Sequence, residues 1–183
     1  MNEPIFIIGM PRSGSSAFYN TLACHPDLGW ISQSTKKFPT SAPLSRLMTV
    51  FRPSPPPTEG HRIWRRFARA EDDVLGREHA TPAARSYYTR LVAAHLAVQR
   101  KSRFLSKHPR NSLRMEFLDE IFPGSWFLHL IRDGRAVARS LLEMRERHGG
   151  HDRYWGIRPP GWRDLSRLEP VESVARQWQT VIA

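Results

Sequence analysis

The stretch Pro4-Ile5-Phe6-Ile7-Ile8-Gly9-Met10-Pro11-Arg12-Ser13-Gly14-Ser15-Ser16 passes from a continuous apolar run, through a Gly/Pro turn, into serines that suit a helix start. An isoleucine-rich run without alternation is the pattern of a parallel strand covered on both faces. The residues after it predict a turn over Met10–Gly14 and a helix from Ser15 or Ser16 to about Cys24. That helix ends at His25-Pro26-Asp27, because the residue before a proline disfavours helix. Gly9 and Gly14 have the Gly-x4-Gly spacing of a loop whose backbone N–H groups wrap an oxyanion at a helix N-terminus. A nucleotide triphosphatase would continue with Lys and then Ser or Thr; here Ser15 and Ser16 follow, and Arg12 supplies a cation inside the loop instead.

Outward from this unit the same alternation recurs. Residues 34–60, with Pro55-Pro56-Pro57, read as a loop around one short helix at Leu44 to Phe51. Helical spacing predicts helices at Ile63 to Leu75, Ala83 to Gln99 and Leu113 to Phe122, the last stopped by Pro123-Gly124. Strands are expected at Phe104 to Ser106 and Trp126 to Ile131, the latter running into a helix over Gly134 to Arg147. Residues 148–169 form a long Gly-, Pro- and Trp-rich loop, and a final helix begins near Val171. This order predicts an α/β, P-loop-like three-layer fold: a central, mostly parallel sheet flanked by helices. Ligands in such folds bind beyond the carboxyl ends of the strands, here Gly9–Gly14, Ser106–Pro109 and Arg132–Gly134.

The 183 residues carry 28 Lys+Arg against 17 Asp+Glu, a formal net charge of +11, and only Lys36, Lys37, Lys101 and Lys107 are lysines. Arginine grips planar oxyanions with two donors at once, so the balance suits phosphate or sulfate handling; a composition rich in arginine throughout is the plain alternative. A nucleic-acid module would show basic residues interleaved with aromatics on one face. Arg62, Arg65, Arg66 and Arg69 do stripe a segment, but Trp64 and Phe67 interrupt it as core residues would. The single Cys24 excludes an intramolecular disulfide and a cysteine-clustered zinc site. The early apolar run Ile5 to Met10 is too short for a signal peptide or a membrane span, so a cytoplasmic protein without membrane or nucleic-acid partners is expected.

At the third strand end, Arg132-Asp133-Gly134 leads into a helix that carries Ser140, eight residues beyond Arg132. With the Pro11–Ser16 loop upstream, this pair resembles the 3′-phosphoadenosine 5′-phosphosulfate (PAPS) dependent sulfotransferases, in a bacterial branch similar to the tyrosylprotein and carbohydrate enzymes. Ser106-Lys107-His108-Pro109-Arg110 resembles the family's Lys-Thr-Pro segment, and Trp155 to Trp162 is similar to a stretch in bacterial members.

The resemblance implies sulfuryl transfer from PAPS to a hydroxyl or amine of a small-molecule or carbohydrate acceptor. It implies a donor site built from Arg12, Ser13, Gly14, Ser15 and Ser16 at the 5′-phosphosulfate and from Arg132 and Ser140 at the 3′-phosphate. Arg12 and Lys107 are the expected catalytic cations, facing charge that grows on the departing phosphate. No metal is expected, and Asp133 is read as a helix cap. The family's glutamate base lies about twenty residues after the loop arginine, where this chain has Gln33, so His108 beside Lys107 is the candidate base, with a turn-stabilising role as its alternative. Trp155 and Trp162 are candidates to stack on an acceptor or to pack. Residues 1–183 read as one sulfotransferase-like domain lacking its C-terminal part, with homo-oligomer formation open, because the last helix still carries Val171, Val174, Trp178 and Ile182 on one face. A P-loop kinase or triphosphatase, a non-catalytic PAP/PAPS-binding protein and a basic nucleic-acid module are the other readings.

Overall fold

A computed structural model describes residues 2–33, 35–50, 56–68, 71–150 and 154–182. Phe51, Pro55 and Arg69, all named above, lie outside the described residues. The expected first unit forms: strand β1 (Ile5–Ile8), a loop, and helix α1 (Ser15–Leu22), followed by a two-residue strand β2 (Leu28–Gly29). Helix α2 (Ala42–Val50) and the single turn α3 (His61–Trp64) precede the long α4 (Pro82–Gln99). Thr81 caps α4 through its hydroxyl, which accepts the Ala84 N–H at 3.3 Å, and Pro82 stands where a missing N–H costs nothing. Then come β3 (Arg103–Lys107), α5 (Met115–Ile121), β4 (Trp126–His129), α6 (Gly134–Arg147), the short α7 (Trp162–Leu165) and α8 (Pro170–Ile182).

The sheet order is β2-β3-β1-β4 and every pairing is parallel. Alternation along β1 sends Phe6 and Ile8 to one face and Ile5 and Ile7 to the other. Phe6 and Ile8 pack with Phe104, Trp64, Tyr88, Leu91 and Phe117, under α4 and α5. Ile7 packs with Tyr19, Ala23, Leu28 and Leu105, under α1. The sheet is therefore covered on both faces, as an uninterrupted apolar strand demands. A third cluster, Met10, Val137, Leu141, Ile157, Val174 and Val181, joins α6 and α8 beyond the end of β1. Because β1 lies between β3 and β4, with Ile7 opposite Lys107 and Ile8 opposite His129, three strand ends open onto one place. The chain leaves β1 toward β3 on one side and returns as β4 on the other, which makes this the crevice of the sheet.

One expectation is corrected. Among the described residues, the helix foreseen over Ile63–Leu75 is the single turn α3, because tertiary partners take the backbone groups that a longer helix would use. Arg114 donates to the Trp64 and Asp73 carbonyls at 2.8 Å each, and the Asp73 N–H donates to the Arg158 carbonyl at 2.9 Å. The helix foreseen over 113–122 forms as α5, starting two residues later, and a 3₁₀ turn over Pro109–Leu113 leads into it. The turn starts at a proline and returns the Ser112 hydroxyl to the Gly9 N–H at 2.9 Å.

Candidate active site

The loop after β1 owes its shape to three residues. Gly9 has φ +139, and a Cβ there would lie 2.5 Å from the Leu130 carbonyl oxygen, so the close approach of β1 to the segment after β4 requires glycine. Arg12 occupies left-handed backbone space at φ 73, and Gly14 does so at φ +87 as the residue that starts α1. This loop leads directly into the N-terminus of α1, the kind of place where backbone N–H groups and the helix dipole favour an oxyanion.

A cleft of about 840 Å³ opens above this loop. Its walls include Arg12, Gly14, Ser15, Ser16, Lys107, Arg110 and Arg132, together with Glu59, Arg65, Tyr154, Trp155 and Arg158. The structure thus brings together the three strand ends singled out in the sequence. Arg12 Nε donates to Ser140 Oγ at 2.9 Å, and Arg132 Nη1 donates to the Arg12 carbonyl at 3.0 Å. Residues 120 and 128 positions apart in the chain are therefore tied to one another, and Arg12 links the loop to the Arg132–Ser140 region. Ser13 and Ser140 stand behind the lining residues; Ser13 holds the loop closed through its N–H to the Met10 carbonyl at 3.2 Å.

Asp133 caps α6 as expected, accepting the Arg135 and Ala136 N–H groups at 2.8 and 3.3 Å. The side chain of Arg135, then these N–H groups, hold its carboxyl at about 2. Of the two tryptophans, Trp155 lines the cleft. Trp162 packs instead, donating from Nε1 to the Glu71 carbonyl at 2.6 Å with Arg158 4.7 Å above its ring. Gln177 fixes the Trp155 wall by donating to the Trp155 and Ile157 carbonyls at 3.1 and 2.8 Å.

Lys107 is almost wholly buried at the end of β3, and its ammonium donates to Ser16 Oγ at 3.2 Å and to Glu59 Oε1. The second Glu59 oxygen lies 3.2 Å from His61 Nε2, and His61 Nδ1 lies 2.9 Å from His108 Nε2. His108 is fully buried and does not line the cleft. Burial first, then His61, Arg110, Arg114 and Lys107, hold its imidazole well below the usual range. Of the candidates named from the sequence, His108 is thus placed behind His61 and not at the cleft surface. Gln33, at the position of the family's base, accepts a hydrogen bond from Lys36 and is likewise absent from the lining.

Sequence reasoning missed Glu59. No local pattern marks Thr58-Glu59-Gly60 as functional, because long-range pairing places it: the Thr58 N–H donates to the Ile31 carbonyl at 2.8 Å, and Pro57 bridges to Ser32. Asp73 was missed for the same reason. Its carboxylate pairs with Arg110 Nε at 2.7 Å and accepts the Arg158 N–H at 2.9 Å, joining two walls of the cleft.

Comparison with known proteins agrees with this architecture. The chain is 28% identical over 148 residues to protein-tyrosine sulfotransferase A of Caenorhabditis elegans, covering 81% of this chain and 35% of that protein. It is 25% identical over 148 residues to protein-tyrosine sulfotransferase 1 of Homo sapiens, covering 81% and 36%. It therefore spans about a third of the length of the curated relatives it matches. Sulfotransferase STF1 from Mycobacterium tuberculosis H37Rv has the same fold, with a TM-score of 0.60 at 14% identity over 100% of this chain and 57% of that one. Residues 4–180 match the sulfotransferase family, the same span that carries the phosphate-type loop, the buried lysine and the Arg132–Ser140 pair; the chain belongs to that family.

Proposed function

We propose that the chain binds PAPS and transfers its sulfuryl group to a hydroxyl or amine acceptor. The observation that supports this reading is the meeting of the Arg12–Ser16 loop and the Arg132–Ser140 pair, two candidate oxyanion sites, at one sheet crevice, bridged by the Arg12 guanidinium. A donor with anionic groups at both ends of a nucleoside matches such a pair. Among the described lining residues, Arg12, Arg65, Lys107, Arg110, Arg132 and Arg158 face a single carboxylate, Glu59, so the cleft favours a polyanion. Lys107 reaches the loop at Ser16 and is the group best placed to meet charge appearing on the phosphate oxygen as it departs. A triphosphate-hydrolysing role is disfavoured by Ser15 where a P-loop lysine would stand. The named relatives favour a phenolic hydroxyl as acceptor, and the aromatic Trp155 lines the same cleft as Glu59 and Arg158.

Isothermal calorimetry with adenosine 3′,5′-bisphosphate, adenosine 5′-phosphate, ATP and a short oligonucleotide tests the reading. The bisphosphate is expected to bind most tightly. Equal affinity for the bisphosphate and adenosine 5′-phosphate would remove the second oxyanion site and the proposal with it.

A further inference from the structure

The cleft holds one carboxylate among its described lining residues, and it comes from a segment with no phosphate-loop or strand-end motif. Glu59 is placed there by the pairing of Pro57–Thr58 with Ile31–Ser32, the stretch immediately before Gln33. The turn that follows is fixed by Gly60, at φ +64, where a Cβ would lie 2.9 Å from the Ile31 side chain. The segment thus carries an acid to the crevice, while Gln33, just after the stretch it pairs with, stays off the lining. One Glu59 oxygen meets Lys107, which also reaches Ser16; the other meets His61. With both imidazoles neutral, His61 Nε2–H donates to Glu59, and His61 Nδ1 accepts from His108 Nε2–H. The buried His108 thereby fixes the His61 ring, and His61 fixes the carboxylate.

We propose that Glu59 is the catalytic base of the transfer, and that its ion pair with Lys107 is the resting state of the site. The assignment rests on the sulfuryl-transfer reading above. In the step, the acceptor's O–H or N–H proton passes to the Glu59 carboxylate as the acceptor atom forms its bond to sulfur. The bond between sulfur and the 5′-phosphate oxygen breaks, its electron pair stays on that oxygen, and Lys107 faces the resulting charge. The products are the sulfated acceptor, adenosine 3′,5′-bisphosphate and a protonated Glu59, which returns its proton to water. An ammonium bridging Ser16 and Glu59 couples the two ends: when Lys107 turns to the donor, the carboxylate loses a competing partner and is free to take a proton.

Glu59→Gln and Glu59→Asp are compared with the unaltered chain in two measurements. In calorimetry with adenosine 3′,5′-bisphosphate, Glu59→Gln is expected to bind at least as tightly as the unaltered chain, since the carboxylate no longer competes for Lys107. Lost binding in both variants would make Glu59 a structural counter-ion and overturn the assignment. In rate measurements with PAPS and phenols of graded acidity, the loss in Glu59→Gln is expected to be small for 4-nitrophenol, which ionises without help. It should grow to on the order of 10²-fold or more for weakly acidic phenols, which need a base. A loss equal for all phenols, or no loss, overturns the assignment. An unaltered chain that does not bind the bisphosphate would instead overturn the functional reading on which it rests.

Discussion

Replacing Asp73 with alanine takes the anion from two arginines, one of which has no route to water. The carboxylate lies 2.7 Å from Arg110 Nε and 3.6 Å from Arg114 Nη2, and the Arg114 side chain is 1% exposed. Without it, the Arg114 guanidinium keeps its hydrogen bonds to the carbonyls of Trp64 and Asp73 but loses its ion-pair partner. Breaking a buried pair by removing one partner costs about 3–5 kcal/mol, chiefly because the remaining charge stays desolvated. Arg110 is 24% exposed and can turn to water, so its share is discounted and a loss of about 2–4 kcal/mol is expected. Urea denaturation of Asp73→Ala, Arg114→Met and the double variant measures this. Methionine removes the buried charge while keeping much of the volume, so the double variant should be clearly more stable than the sum of the two single losses predicts. The Arg158 N–H loses its acceptor too, so bisphosphate binding should weaken in step. An Asp73→Ala loss under about 1 kcal/mol, or strictly additive variants, would refute the reasoning.

Arg132→Ala should weaken adenosine 3′,5′-bisphosphate by about 1.5–3 kcal/mol while leaving adenosine 5′-phosphate unchanged, because the lost charge-assisted contact belongs to one end of the ligand; calorimetry reads both. Lys107→Met should lower turnover of the same phenols by on the order of 10²-fold with a smaller change in donor affinity, and unchanged turnover would take Lys107 out of the mechanism. His95 is held neutral by burial, its pKa lowered to about 4 against an opposing hydrogen bond to the Leu91 carbonyl. The unfolded chain gains that proton already near pH 6.5 and the native state only near 4. Stability is therefore complete above that window and falls as pH drops through it. His95→Leu should flatten part of the slope in urea titrations between these values; an unaltered slope would place the effect elsewhere, with His61 and His108 next in turn.

The sequence alone determined β1, its loop and α1, because that unit is local: an unbroken apolar run, glycines at fixed spacing and a helix start lie within two dozen residues. The same holds for Arg132, Asp133 and Ser140, whose places follow from one strand passing into one helix. Lys107 was legible as a strand-end cation. Tertiary structure alone decided which groups lie behind the site and which line it. His108 and Lys107 are neighbours in sequence, yet strand alternation sends one ring into the buried layer and the other side chain to the cleft. Glu59 and Asp73 carry no signal in their own neighbourhoods, since the first is delivered by pairing with residues 31–32 and the second by arginines 37 and 41 positions away. Short-range spacing encodes strands, turns and caps; the company a carboxylate keeps is a contact between distant segments, and it exists only once the chain has closed on itself.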